Sequence, residues 1–298
     1  MISMYGRPPC PPVGGCCNST DKDAGIAIGV QTGKDEVEYV KYHGHKAVRE
    51  YVKMQHRLEG NKEKPVVRYH HIEAPKIDGT EVEVHFRPCY AHSPLRNWRM
   101  QRWFNDHADV CMKNKTHMGF AVPTASVNVV YQMCHLFSHY FDEGLGLRQL
   151  MDYYYTLKIW HNDLEEKKEL ESRGMLIEGH GSAVMSPSQV MSVFRSFGMA
   201  KFASAVMSVL HEVFAMPTHY YICEPNEKEG KKLLEEIMKG GNFGQYDTRD
   251  AALKKGGMVK HGVWKLKRVM RLVRSYPEEA LWEPVFRVYH LIWRLSHG

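Results

Sequence analysis

The hydrophobic pattern of the chain changes its period part-way along, and this change constrains the fold more than any other feature. At residues 26–30 and again between residues 66 and 88 apolar residues alternate with polar or small ones, a period of two that is typical of strands. Beyond Pro123 they recur every three or four residues, as on one face of a helix. The pattern predicts an α+β protein with a small mixed sheet and flanking helices, followed by an α-helical C-terminal domain.

Three segments are expected from this change of texture. Residues 1–23 are crowded with proline and glycine and follow neither period, which predicts an irregular N-terminal segment. Residues 24–122 are expected to form the α/β core, and residues 123–298 the helical domain. A chain of 298 residues with 43% hydrophobic residues is long enough for one large domain or two ordinary ones.

The strands of the core are predicted from local patterns. Alternation from Ile26 to Val30 predicts a buried strand, and the valines that follow it among charges, from Val37 to Val52, predict helical segments. The clearest signal is an antiparallel hairpin between Val66 and Pro88, because two β-prone runs flank an Asp-Gly turn at residues 78–79.

Helices are predicted from stripes and caps. A short helix is expected over residues 95–107, and helices begin after Ser186, which precedes a proline, and after Asn226. The last helical segment is expected to run from Val259 to Arg274, break at Pro277 and resume from residue 282 to 295.

The second hairpin strand carries the first candidate site. Side chains alternate along a strand, so Glu83, His85 and Arg87 share one face. A carboxylate beside a histidine can help to hold a divalent cation against phosphate oxygens, although a solvated strand edge has the same pattern. Asp21 and Asp23, two residues apart, are candidate partners for that metal, and a turn cap explains them equally well.

Two further pairs lie in the helical half. His135 and His139 are four residues apart on one helix face, where they could bind zinc, pack at a junction or meet an anionic ligand. Arg148 and Asp152 have the same spacing, which suits a surface ion pair or an orienting pair for that site.

Charge and cysteine content exclude some classes. The net charge of +6 suits an anionic partner such as a nucleotide, without requiring a nucleic acid. A basic amphipathic stretch from Lys254 to Arg274 could bind nucleic acid or an anionic membrane, but a packed helix with a solvated basic face gives the same pattern. The seven cysteines include no C-x-x-C pair and are interpreted as reduced thiols. No membrane-spanning run or secretory signal is readable, so the cytoplasm is the expected location.

Several motifs in the same order resemble those of a known family, the uncharacterised nucleotidyltransferase-like proteins of Bacteroidetes, within the DNA polymerase β-like superfamily. They cover residues 24–298. The motifs are Val82-Glu83-Val84-His85-Phe86-Arg87-Pro88, Gln101-Arg102-Trp103-Phe104, Glu143-Gly144-Leu145-Gly146-Leu147-Arg148 and the C-terminal Tyr276-Pro277-Glu278, Leu281-Trp282 and Ile292-Trp293-Arg294.

The resemblance implies a nucleotidyltransferase-like sheet and transfer of a nucleoside monophosphate from an NTP to an unknown acceptor. Two Mg²⁺ ions would be held by carboxylates, with Glu83 matching the third acid of the family pattern. The first two acids fall on Gly25 and Ala27, so both carboxylates are missing. We therefore expect weak or absent transfer.

Three explanations of this departure remain open. The chain has lost catalysis, its start is a gene-model artefact, or Asp21 and Asp23 replace the missing acids through a shifted register. Two other functions also remain: a non-catalytic module that binds a protein or an anionic polymer through the helical half, and a zinc enzyme centred on His135 and His139.

Overall fold

The computed structural model describes residues 26–31, 37–42, 66–77, 80–85, 87–116, 121–142, 144–173, 184–241, 249 and 258–297. These residues divide between two compact units. The first unit draws on Met1–Pro88, His107–Pro123 and His290–Gly298, and the second on Cys89–Asp106 and Thr124–Tyr289. The described part of the chain is mostly helical.

Strands occur in the first unit as two separate antiparallel pairs. Strands β1 (Ile26–Gln31) and β2 (Val37–Tyr42) form one pair, and β3 (His71–Ile77) and β4 (Thr80–His85) form the other. The second pair is the predicted hairpin, with a register shift between Ala74 and Ile77. The predicted mixed sheet is not confirmed, because the described strands pair only two by two and both pairs are antiparallel.

The helix predicted after the first strand is wrong over residues 37–42. This stretch is β2, which pairs along its whole length with β1 from Gln31↔Val37 to Ile26↔Tyr42. Its sequence, VEYVKY, is rich in β-branched and aromatic residues, which favour a pleated surface over a helix. Valines spaced among charged residues indicate a helix when the segment is considered alone, but here the segment pairs with β1 as a strand.

The first described helix is α1 (Pro94–Asp106), where the sequence predicts a short helix, and the short α2 (Ala108–Lys113) follows it. Beyond Pro123 the helical prediction is confirmed. The helices there are α3 (Ala125–Asp142), α4 (Leu147–Ser172), α5 (Pro187–Ser196), α6 (Ala200–Phe214), α7 (Glu227–Gly240), α8 (Met258–Leu272) and α9 (Pro277–His297).

Local caps explain where two of these helices begin. The Ser186 hydroxyl accepts a hydrogen bond from the Gln189 amide, and the Gln189 side chain accepts one from the Ser186 amide, which forms a capping box. The Asn226 side chain accepts from the Glu229 amide at 3.1 Å. Both predicted caps are therefore confirmed.

The predicted interruption before the last helix is confirmed, because α8 ends at Leu272 and α9 begins at Pro277, but the helix resumes at this proline and not at residue 282. Proline suits the first turn of a helix, where its missing N–H would have no partner within the helix. A second proline, Pro284, lies inside α9.

The core of the second unit lies around α3, α4 and α6. Helix α6 buries both its large and its small side chains, so it is surrounded on most sides, and it packs against α4, α5 and α7. Large side chains that are almost fully buried fill this core: Phe141, Tyr153, Trp160, Phe194, Phe197 and Phe202. None of the described helices combines the length and the apolar character needed to cross a bilayer.

Candidate functional site

The β3–β4 hairpin gathers three histidines at its open end. His71 and His85 are direct partners in the register, and His70 immediately precedes β3. The His71 Nδ1 and His70 Nε2 atoms lie 3.0 Å apart, and one ligand atom from each of the three imidazoles lies within 4.8 Å of the others. Within the described residues this is the group of three side chains that could hold a metal ion.

Burial restricts the motion of this trio, which we call the hairpin histidines (His70, His71 and His85). His71 and His85 are only 9% and 5% exposed, whereas His70 is half-buried. The ring of His70 meets that of His71 nearly at right angles, and the rings of His71 and His85 are tilted by 36° with centroids 5.2 Å apart. Solvent therefore reaches the cluster mainly at His70.

The acidic positions of the hairpin follow from the same register. Glu83 on β4 is the Cα partner of Glu73 on β3, two residues from the His71–His85 pair. The Glu73 carboxylate accepts from Arg68 at 3.1 and 3.3 Å. The Glu73 carboxylate is thus engaged with a guanidinium, and the role of Glu83 as a metal ligand stays a prediction.

Arg87 closes the hairpin beyond β4. Its amide donates to the His70 carbonyl at 3.2 Å, and its guanidinium donates to the Tyr69 carbonyl at 2.5 Å. The guanidinium also lies 4.3 Å from the centroid of the Tyr69 ring. Arg87 thereby fixes the segment that carries His70, and its expected contact with a nucleotide stays a prediction.

The other predicted pairs have different outcomes. His135 and His139 are in contact on α3, with their Nε2 atoms 2.9 Å apart. A third ligand does not join them within the described residues, so the zinc enzyme predicted on this pair gains no support. Arg148 and Asp152 are both exposed on α4, and the described contacts include no ion pair between them.

Asp21, Asp23 and Gly25 lie outside the described residues, and Ala27 lies on β1 opposite Lys41.

A second polar cluster is buried in the second unit around His92. The His92 Nε2 atom lies 3.6 Å from Asp142, its Nδ1 atom lies 3.4 Å from Glu279, and its amide donates to Glu279. Burial lowers the pKa of His92, but the carboxylates of Asp142, Glu279 and Glu283 outweigh this effect and raise the pKa above the ordinary value. The cluster ties the first turn of α9 to the segment before α1.

The basic C-terminal stretch is partly structural. Arg268 on α8 is buried and donates to the carbonyls of Phe141 at 3.0 Å and Tyr140 at 2.8 Å. These carbonyls lie in the last turn of α3, where the helix supplies no donor. Lys260, Lys267 and Arg271 are exposed on the same helix, so the stretch has one packed side and one basic side.

Sequence reasoning missed His70 and His71. The available signal was the pair of consecutive histidines at the start of the first hairpin strand, read together with His85 near the end of the second. An antiparallel hairpin with its turn at residues 78–79 brings these positions together.

Comparison with known proteins gives one match. Residues 35–175 match a family described as uncharacterised nucleotidyltransferases. This stretch of the chain is nucleotidyltransferase-like. The matched span includes the hairpin, the hairpin histidines and Glu83, but it begins after β1 and so does not cover Gly25 and Ala27. No curated protein and no solved structure matches the chain.

Proposed function

We propose that the chain binds a nucleoside triphosphate beside the β3–β4 hairpin, and that it transfers the nucleoside monophosphate only weakly or not at all. The observation that carries the proposal is the similarity of residues 35–175 to uncharacterised nucleotidyltransferases, a span that contains the whole hairpin. The reaction in question forms a bond between the α-phosphorus and an acceptor oxygen or nitrogen and releases pyrophosphate. The chemical class of the acceptor is left open.

The donor atoms described at the hairpin do not fit a pair of magnesium ions. Mg²⁺ prefers oxygen ligands, and a two-metal transfer site needs several carboxylates. Glu83 supplies one position, Glu73 pairs with Arg68, and the clustered side chains are imidazoles. Asp21 and Asp23 stay candidate ligands from outside the described residues. This nitrogen-rich set supports nucleotide binding with poor transfer.

Calorimetric titration of the full chain with each of the four NTPs tests the binding. We expect at least one NTP to bind in the presence of Mg²⁺ and to bind at least about tenfold more weakly to Glu83→Gln, because the negative charge of a carboxylate ligand is lost. The matched control is Glu171→Gln, since Glu171 is an exposed carboxylate on α4. If none of the four NTPs produces a heat of binding, the proposal is refuted.

A release assay for pyrophosphate tests the second part. We expect no Mg²⁺-dependent release above the level seen without protein, with acceptors from several chemical classes. Sustained turnover of any NTP would show that the carboxylates missing at positions 25 and 27 are replaced by others.

A second candidate is a non-catalytic binding module. It is favoured by the exposed apolar side chains of α9, among them Leu281, Val288 and Leu295, which are 65%, 60% and 79% exposed. The basic side of α8 would add affinity for an anionic polymer. Titration with an RNA or DNA homopolymer at two salt concentrations separates the candidates, because phosphate contacts weaken steeply as salt rises.

We propose the cytoplasm as the location of the protein. Cys89, Cys111, Cys134 and Cys223 carry free thiols in the described part of the chain. Thiols of this kind persist where glutathione keeps cysteines reduced. Fractionation of cells that express the chain tests the location.

A further inference from the structure

The strongest unexplained feature is the clustering of three imidazoles in a hairpin where the family likeness would lead one to expect carboxylates. Two of the rings come from facing positions of β3 and β4, and the third comes from the residue just before β3. The hairpin register therefore fixes the cluster. A backbone that places three nitrogen ligands side by side has the main property of a metal site.

We propose that the hairpin histidines bind one Zn²⁺ ion. Zinc takes imidazole nitrogens at about 2.0–2.1 Å, which in a tetrahedral site puts two such nitrogens about 3.3–3.4 Å apart. His71 Nδ1 and His70 Nε2 are already 3.0 Å apart, and the three ligand atoms lie within 4.8 Å of one another. The distances between these nitrogens therefore have to change by at most about 1.5 Å to reach the tetrahedral spacing.

The choice of metal follows from the donor type. Imidazole suits zinc and the neighbouring transition metals, whereas carboxylate, carbonyl and water oxygens suit magnesium and calcium. The site is therefore distinct in chemistry from the magnesium site that the family resemblance implies. It also needs no contribution from Glu83, so it stands or falls separately from nucleotide binding.

Three protein ligands leave one tetrahedral position for an exchangeable ligand. Zinc sites that are purely structural use four protein ligands, while three histidines with an open position hold water or an anion. His70 is half-buried, so the cluster is reachable from solvent, whereas His71 and His85 are buried and hold the geometry. The fourth ligand here is expected to be water or an anion such as a phosphate oxygen.

A competing account is a chain of hydrogen bonds between the rings without any metal. The 3.0 Å contact between His70 and His71 suits such a bond in one choice of tautomers. The two accounts differ in zinc stoichiometry. They also differ in the effect of substitution, because only a metal site loses its ion when any one of the three rings is removed.

The test uses the full chain, stripped with chelator, dialysed against Zn²⁺ and analysed by mass spectrometry of the metal. We expect one equivalent of zinc per chain, and an affinity lower by at least about 100-fold in His70→Gln, His71→Gln and His85→Gln, since even outer-shell changes cost 10–100-fold. Co²⁺ in place of Zn²⁺ should give the visible absorption of a tetrahedral ion. His70→Gln is the gentlest variant, because that side chain is half-buried.

The matched control is His135→Gln, which removes one ring from the two-histidine contact on α3. Zinc content should be unchanged in this variant. Less than about a tenth of an equivalent in the parent chain, full zinc retention in His70→Gln, or loss of zinc in His135→Gln would each overturn the proposal. Circular dichroism of the stripped variants checks that any loss of zinc occurs in folded protein.

Discussion

Arg268 offers the sharpest test of how the second unit is held together. Its guanidinium caps the C-terminal end of α3 from α8, through hydrogen bonds of 3.0 Å to Phe141 and 2.8 Å to Tyr140. The perturbation is Arg268→Met, which keeps most of the aliphatic stem and removes the charge and the donors. It leaves two carbonyls at the end of α3 without the donor they have in the parent chain.

The magnitude follows from these two bonds. Each hydrogen bond to a charged group contributes about 1.5–3 kcal/mol, so the lower end gives about 3 kcal/mol for the pair. The favourable charge at the negative end of the helix dipole is lost as well. For a folding unit of about 150–250 residues, 1 kcal/mol shifts the melting midpoint by about 2–4 °C, so a fall of about 6–12 °C is expected.

Thermal denaturation followed by circular dichroism measures this shift. Lys260→Met is the matched control, since Lys260 is exposed on the same helix and surface changes of this kind stay within about 0.5 kcal/mol. If Arg268→Met melts at the same temperature as Lys260→Met, the guanidinium does not cap α3, and the packing of α8 rests on its apolar side chains alone.

Three further predictions concern other parts of the chain. Gly230→Ala on α7 should destabilise by about 1–3 kcal/mol in urea denaturation, because its Cβ would collide with the Ser208 side chain, whereas Gly240→Ala meets open space and should cost nothing. The pKa of His92 is raised in the folded protein, so the stabilising charge of this side chain is fully present below its unfolded pKa and is lost as pH rises through the folded pKa. The free energy of unfolding should therefore fall as pH rises above about 6.5, and it should fall less steeply in His92→Gln. The same slope in both proteins would contradict this. Gly25→Asp combined with Ala27→Asp should restore Mg²⁺-dependent pyrophosphate release if the chain is a recently decayed enzyme, and no gain would favour a repurposed scaffold.

The elements that the sequence predicts well are those whose signal is local. The helices from α3 onward are predicted by apolar stripes. Ser186 and Asn226 predict the N-caps of α5 and α7, because each cap depends only on residues up to three positions away. The hairpin follows from alternation on both sides of an Asp-Gly turn. In each case the residues that decide the structure lie within about one turn or one strand of each other.

The errors occur where a pairing or packing partner outside the segment itself decides the structure. Residues 37–42 become a strand because β1 pairs with them, and the mixed sheet depends on strand neighbours that no local pattern names. The contact between His92 and Glu279 joins positions 187 residues apart, so sequence spacing carries no trace of it. The sequence predicts that the last helix resumes at residue 282, whereas it begins at Pro277, because proline suits the first turn of a helix.

The two proposals for the hairpin also determine how its metal dependence must be measured. A chelator that removes Mg²⁺ removes Zn²⁺ as well, so loss of NTP binding in chelator would not tell which ion mattered. The titrations are therefore needed in four states, with and without Mg²⁺ and with the hairpin histidines loaded or stripped. Because the zinc site uses His70, His71 and His85 and not Glu83, Glu83→Gln should weaken NTP binding while zinc content stays at one equivalent. His70→Gln should do the reverse if zinc does not contact the nucleotide, and should weaken both if a phosphate oxygen is its fourth ligand.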